Sequence, residues 1–262
     1  MSIFISSALV LSSQGGVLDA PVMCFDNIVT PNNITSTSGL IDRPIGNVAN
    51  PATAWVWEAS SAATQTITIT TDGREVDYVG IARHNLNQIG LTVTIKYNGV
   101  TVAPAQAVSD TQALLFLQNI ATPTTIEIII TGATVAPRIG VLYVGKSLPL
   151  QRGIGVGHTP ITYGRNRKTI NGVSENGQYL GEIVVSQVNS NQVSMQNLTP
   201  DWYRSMLDPY FKASPRVPCF FAWKPSKYAS EVGYVWVEGD PQPVNQRSNG
   251  MMSIDWTFRG LA

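Results

Sequence analysis

Short segments of alternating apolar and polar residues constrain the fold of this chain more than any other feature of its sequence. In residues 64–70, Ile67 and Ile69 alternate with threonines, as they do in a strand with one buried face. Residues 91–97 alternate in the same way and lead into Asn98-Gly99, a dipeptide typical of a type I′ hairpin turn. Val100 to Val102 then reads as the returning strand. The pattern predicts antiparallel β-structure.

A second group of strand signals follows at residues 125–131 and 138–145, with Gly132 between them. Strands at short spacing, separated by turn residues, indicate a sandwich or jelly roll, and no βαβ rhythm is present. We therefore predict a mainly all-β fold in which residues 1–147 form the first domain. Ile3 and Ile5, with Leu9 and Leu11 in the same phase, predict a first strand rather than a secretion signal, because no basic residues precede them.

The composition of the sequence changes between residues 148 and 178. Six glycines interrupt this segment, which also contains Arg152, Arg165, Arg167 and Lys168. Because it has little apolar material for a core, we predict a linker or an arm that contacts a neighbouring subunit through these four basic residues.

Residues 179–262 are predicted to form a second β domain with one helix, at about residues 199–212. Thr199 is a candidate N-cap, Pro200 suits the first helical position, and Pro209 is expected to kink or restart the helix. Apolar strand patterns resume after the helix and continue almost to the last residue.

The amino-acid composition makes some classes of function less expected than others. Charged residues make up 13% of the chain, about half of the ~25% usual for soluble domains. The 17 basic and 17 acidic side chains leave a formal net charge of zero, so no charge excess favours nucleic acid or an anionic membrane. A surface with few charges suits permanent contact with other subunits, because little charge must be desolvated.

Catalytic and metal-binding patterns are weak. Cys24 and Cys219 are too far apart in sequence to indicate a zinc site or a disulfide framework. The only histidines are His84 and His158; a structural role is expected for His84, and a solvent-exposed or interface position for His158. The glycines at 153–157 lack the spacing and the strand–turn–helix context of a phosphate-binding loop. We expect no enzyme activity, no cofactor and no metal.

Two groups of residues are candidates for contact with a carbohydrate. Trp55 and Trp57 lie two residues apart, so that both indoles share one face of a strand and either stack on a sugar ring or fill the core. Arg83, His84 and Asn85 follow a mostly buried strand, where loops of a β-sandwich begin.

The order of these segments resembles a discoidin or galactose-binding-like jelly roll. The resemblance rests on residues 50–57, residues 65–69 and the strand of residues 76–86, and it extends over about residues 25–147. The continuation from residues 144–150 into the Gly/Arg segment and a β domain with a helix is similar to tail-associated proteins of long-tailed bacteriophages.

That similarity implies a non-enzymatic component of a tail tip or baseplate, similar to distal tail proteins of siphoviruses. Such a protein would form a homo-oligomeric ring in the virion after assembly in the host cytoplasm, and would connect the tail tube to fibre or receptor-binding proteins. The expected partners are other copies of the chain and other tail proteins, with no nucleic acid and no membrane insertion. The alternative is a carbohydrate-binding module for glycan on the host surface.

Overall fold

A computed structural model of the chain describes residues 2–6, 9, 11, 18–109, 112–246 and 248–262. Within these ranges the fold is mostly β, as the alternating sequence pattern predicts. The strands are β1 (Ile3–Ile5), β2 (Val22–Cys24), β3 (Ile34–Ser36), β4 (Trp57–Glu58), β5 (Gln65–Thr70), β6 (Val76–His84), β7 (Thr92–Tyr97), β8 (Val100–Ala107), β9 (Ala113–Ala121), β10 (Thr125–Thr131), β11 (Arg138–Gly145), β12 (Leu148–Pro149), β13 (Arg165–Val173), β14 (Tyr179–Leu198), β15 (Cys219–Ala222), β16 (Val232–Glu238), β17 (Val244–Asn245) and β18 (Met252–Leu261).

The strands form three sheets. Sheet A has the order β1-β9-β6-β11-β4, and sheet B has the order β3-β5-β10-β7-β8. Sheet C has the order β12-β2-β15-β16-β18-β14-β13, with β17 paired to β18. The β1–β9 pair is parallel, and every other pair of these strands is antiparallel.

Sheets A and B pack face to face as a β-sandwich, with apolar residues of both sheets in one core. Ile126, Ile128 and Ile130 of β10 are fully buried between the sheets, and the residues between them are partly exposed. Asn98 and Gly99 join β7 to β8 with φ values of 49° and 79°, which confirms the predicted type I′ turn.

Sheet A also packs against sheet C, on the face turned away from sheet B. Phe220 of β15 lies over Gly80 of β6, where an added Cβ would approach the phenyl ring to 2.6 Å. Tyr143 and Tyr234 complete the contact, with ring centroids 5.8 Å apart. Because Gly80 has no side chain, the aromatic ring of one sheet reaches the backbone of the other.

The far side of sheet C is covered by the helical segment. It comprises an α-helical turn at Pro200–Trp202, a π-helical stretch at Tyr203–Leu207 and an α-helix at Asp208–Ala213. The π-helical stretch ends just before Pro209, whose ring cannot donate a backbone hydrogen bond. A short 3-10 helix at Ile45–Ala49 lies within the sandwich domain.

Three sequence expectations differ from the structure in detail. Thr199 makes no capping hydrogen bond, because its hydroxyl accepts one from Gln151 Nε2 at 2.7 Å instead. The segment expected to be a loop contains strand β13, which forms because β14 offers it an edge. Of the predicted N-terminal strand, β1 is present and Leu9 and Leu11 pack beyond it, whereas residues 7, 8 and 10 lie outside the described residues.

The proposed division at residues 147 and 178 stays a prediction of the sequence. Sheet C draws strands from all three of the predicted parts: β2 from the first, β12 and β13 from the second, and the remaining strands from the third.

Candidate interaction surfaces

The most prominent surface is a β-hairpin that extends beyond sheet C. Strand β14 pairs with β18 only from Asn189 to Leu198. Its other part pairs with β13, so that Arg165 lies opposite Asn189 at one end and Val173 lies opposite Tyr179 at the other. We call residues 165–188 the protruding hairpin. Its strands extend for about 30 Å at ~3.4 Å per residue, and no third strand pairs with them in the part of the chain that the structure describes.

The protruding hairpin exposes large apolar side chains on both faces. Tyr179 is 66% exposed and Ile183 is 69% exposed. Exposed apolar neighbours of the same kind are Ile170, Val173, Leu180, Val184 and Val185. Contiguous exposed apolar residues mark interaction sites, and an isolated two-stranded hairpin is only marginally stable in water.

The predicted arm residues divide into two sets. Arg165, Arg167 and Lys168 are exposed at the base of the protruding hairpin, and Arg167 Nε donates a hydrogen bond to Gln187 Oε1 at 3.0 Å. Arg152 lies elsewhere, where its Nε donates to the backbone oxygen of Asn197 at 3.2 Å. The ion pairs among the described residues involve none of these four side chains.

The two tryptophans expected on one strand face have different surroundings. Trp57 is fully buried in β4, and its Nε1 donates to the backbone oxygen of Ser38 at 3.1 Å. Trp55 precedes the strand and is 58% exposed. Only Trp55 is therefore placed to contact another molecule.

Arg83, His84 and Asn85 lie together at the end of β6, where they organise the local backbone. Asn85 Oδ1 accepts from the Arg138 N–H at 2.7 Å, and its Nδ2 donates to the Ala136 oxygen at 2.9 Å. His84 is buried, and its Nδ1 accepts from the Leu86 N–H at 3.2 Å. Arg83 is exposed, with a positive φ of 54°.

Trp55 borders an open groove of about 630 Å³, which we call the Trp55 groove. It is mainly apolar, and its lining includes Pro31, Pro44, Ala49 and Pro51. Each of the two asparagines in the lining binds the local backbone through one side-chain atom. Asn47 donates to the Val56 oxygen at 2.9 Å, and Asn50 accepts from the Ala52 N–H at 2.9 Å.

A second groove shares Pro51 with the first and lies where the sandwich meets sheet C. This Trp236 groove has a volume of about 260 Å³ and is lined by Pro51, Ala52, Pro215, Arg216, Pro218 and Trp236, among others. The hydroxyl of Tyr234 donates to the Pro51 oxygen at 2.7 Å, which ties the two walls together.

Carboxylates continue this surface along sheet C. Glu238 lies opposite Thr257, and Thr257 lies opposite Gln192, so their side chains share one face. Asp240 and Asp255 border the same depression. We call Glu238, Asp240 and Asp255 the acidic row; its one cationic neighbour among the described ion pairs is Arg259, whose Nη1 is 3.4 Å from Glu238 Oε1.

Among the described residues, His158 is partly buried and both cysteines are buried. The His158 ring lies 5.0 Å from that of Trp223, and burial lowers the pKa of His158. Burial raises the pKa of the Cys24 thiol and raises that of Cys219 to about 12. No group of three or more His, Cys, Asp or Glu residues within the described ranges is placed to hold a metal, and none of the helices described there is long and apolar enough to cross a membrane.

Comparisons with known proteins give a structural likeness only. Neither the protein-family profiles nor the curated proteins contain a match. Among solved structures, chitosan-binding module 1 of a chitosanase/glucanase from Paenibacillus sp. IK-5 is 12% identical, with a TM-score of 0.40, over 46% of this chain and 99% of that one. The module CpGH89CBM32-5 of Clostridium perfringens, in complex with GalNAc-β-1,3-galactose, is 15% identical, with a TM-score of 0.35, over 43% and 94%.

A third solved structure, the CBM32 of AlyQ in complex with 4,5-unsaturated mannuronic acid, is 14% identical, with a TM-score of 0.36, over 46% of this chain and 96% of that one. These neighbours are carbohydrate-binding modules, and none of the three is a tail protein. Similarity at this level assigns neither a ligand nor an assembly to the chain.

Sequence reasoning missed the apolar part of the hairpin and the Trp236 groove. The signal for the first was present in Ile183-Val184-Val185, an apolar run without alternation in a polar segment. The second has no local signal, because Pro51 and Trp236 come together only through the packing of sheet A on sheet C.

Proposed function

We propose that this chain is a non-enzymatic structural subunit that joins a larger protein assembly by burying its protruding hairpin in a neighbouring subunit. The observation that carries the proposal is the exposure of apolar side chains on both faces of residues 165–188. The hairpin is continuous with β14, which is anchored in sheet C, so it is presented on a rigid base. The sequence resemblance supports a phage tail tip or baseplate as the setting, with the chain forming a ring.

Shortening the hairpin tests this proposal. Residues 168–186 would be replaced by Asn-Gly, so that a two-residue turn joins Arg167 to Gln187, which already face each other in the ladder. We expect the shortened chain to keep its melting temperature within a few degrees, because the removed residues contribute little to any core. Its association in sedimentation velocity, or its recovery with co-expressed neighbours, should be lost.

Ile89→Ser is the matched control, because Ile89 is 94% exposed and lies on the sandwich, away from the hairpin. It removes one exposed apolar side chain without touching the proposed contact. A shortened chain that associates like the full-length chain would contradict the proposal.

Binding of glycan at the Trp55 groove is the second candidate function. The exposed indole of Trp55 beside Pro31, Pro44 and Pro51 offers a flat apolar surface on which a sugar ring can stack. Sugar recognition also needs several polar groups for the hydroxyls, and in this mainly apolar lining Asn47 Nδ2 and Asn50 Oδ1 are already bound to the backbone. The groove therefore supports this function less well than the hairpin supports assembly.

A glycan array with the intact chain and with Trp55→Ala separates the two functions. Glycan binding that is lost in Trp55→Ala but kept in the hairpin-shortened chain would establish the second function independently of the first. Equal signals from the intact chain and Trp55→Ala would exclude the groove as a sugar site.

A further inference from the structure

We infer that the protruding hairpin of one copy docks on the surface formed by the Trp236 groove and the acidic row of a second copy. This inference rests on the proposed function, and it adds the identity of the partner and the location of the receiving surface. The groove and the row belong to one continuous surface, since Trp236 and Glu238 are two residues apart on β16 and their side chains share a face.

Apolar complementarity is the first argument. Val173, Tyr179 and Leu180 are exposed in the distal part of the hairpin, beside its turn. Ile183, Val184 and Val185 continue this exposed apolar surface along the middle of the hairpin. The groove at the meeting of the sandwich and sheet C offers Pro51, Pro218 and Trp236 as apolar contacts. Proline and tryptophan surfaces lose little side-chain entropy on binding, which makes this wall suited to receive the hairpin.

Charge complementarity is the second argument, and it sets the direction of docking. The hairpin is basic at its base, through Arg165, Arg167 and Lys168, and carries Glu175 and Glu182 near its turn. The receiving surface is acidic along Glu238, Asp240 and Asp255, where Arg259 pairs with Glu238 and leaves the two aspartates without an ion pair among the described residues, and it carries Arg216 in the groove. With the hairpin turn at the groove and its base over the acidic row, opposite charges meet at both ends.

The size of the hairpin fits a stable contact. The length of residues 165–188 lies within the ~20–30 residues that each partner contributes to a standard protein interface. Because the hairpin and its receiving surface are different parts of the chain, the contact is heterologous, and its repetition leads to a closed ring or an open filament. The zero net charge of the chain is compatible with such stacking of copies, since no overall repulsion accumulates.

Charge reversal on each side tests the inference. Variant one carries Arg165→Glu and Lys168→Glu, which leaves the Arg167–Gln187 hydrogen bond in place. Variant two carries Asp240→Lys and Asp255→Lys, which leaves the Arg259–Glu238 pair in place. The control exchanges Lys96 and Glu127, which face each other across two strands of sheet B, as Lys96→Glu with Glu127→Lys.

Each variant alone is expected to self-associate at least about tenfold more weakly than the wild type in sedimentation velocity, because like charges then meet. An equimolar mixture of variants one and two should recover association, since each reversed hairpin meets a reversed receiving surface. The control should associate like the wild type. A second measurement uses Lys168→Cys with Asp255→Cys, which should form an intermolecular disulfide when an added thiol oxidant accepts the two electrons, while Cys24 and Cys219 stay buried.

The outcomes separate this inference from the proposed function. In one outcome, the mixture of variants associates no better than either variant alone, while shortening the hairpin abolishes association. This result would refute the proposed receiving surface and would leave the role in assembly supported. Association unaffected by shortening would overturn both. A wild-type chain that stays monomeric at every concentration, yet binds co-expressed neighbours through the hairpin, would overturn the second copy as partner.

Discussion

The two halves of strand β14 have different surroundings. The difference shows which part of the strand is covered by packing within the chain and which part is exposed for contact with a partner. From Asn189 to Leu198 the strand lies between β18 and the segment that precedes β13, and buried residues alternate with partly or fully exposed ones. From Tyr179 to Val188 only β13 accompanies it, and apolar residues are exposed on both faces. One polypeptide segment therefore contributes both to a buried core and to a surface that none of the described residues covers.

The largest loss of stability is expected from Phe220→Ala, in the buried contact between sheets A and C. The Phe220 side chain is fully buried between Tyr143, Tyr234 and Gly80. Its truncation should lower the free energy of unfolding by about 3–5 kcal/mol, measured by urea denaturation. A loss below about 1 kcal/mol would show that the two sheets are not held by this contact.

A smaller effect, of opposite sign, is expected at Asn191 in the buried half of β14. Both polar atoms of its side chain are buried without a hydrogen-bond partner in the described structure. An unsatisfied buried polar group costs about 1–3 kcal/mol, so Asn191→Val should raise the free energy of unfolding by roughly 1 kcal/mol. Gln192→Val, on the exposed face, is the matched control; equal effects in the two variants would refute this explanation.

Asp77 is expected to make the free energy of unfolding depend on pH. Burial raises the pKa of its carboxyl above 3.8, although hydrogen bonds from the Ser147 N–H and hydroxyl act in the other direction. The folded state then holds this proton more tightly than the unfolded state, so the contribution of Asp77 is largest below pH 3.8 and is lost as the pH rises through the raised pKa. Asp77→Asn should flatten the unfolding free energy over this interval, and parallel pH curves for the two proteins would contradict the assignment.

The smallest change in stability is expected on the protruding half of β14. Ile183→Ser should alter the free energy of unfolding by no more than about 0.5 kcal/mol, because the side chain packs against no core. The same variant should associate more weakly in sedimentation velocity. A clear loss of stability in a monomeric preparation would mean that the two halves of β14 differ less than their burial indicates.

The parts of the fold that could be predicted are those decided by local alternation. The strands at residues 65–70, 92–97 and 125–131 and the turn at Asn98-Gly99 follow from period-two patterning and from the backbone conformation that the turn requires. The helical segment after Thr199 was also predictable from Pro200 and the apolar face that follows.

Other features depend on packing between distant segments, which a local pattern does not contain. Trp55 and Trp57 have the same phase in sequence, but the strand begins only at Trp57, so one indole is exposed and the other is buried. The pairing of β2 with β15 joins residues almost 200 positions apart. Residues 165–188 escaped prediction as a hairpin because glycines and unbroken apolar runs replace the alternation that a strand on a core would show.

The continuity of β14 also has a mechanical consequence. Its hydrogen bonds to β18 are perpendicular to the strand, and the protruding hairpin extends along the same line. A pull on the hairpin would therefore load the bonds from Asn189 to Met195 together, in shear, instead of opening them one after another. Force applied to a docked hairpin along this strand would be transmitted through these hydrogen bonds into sheet C.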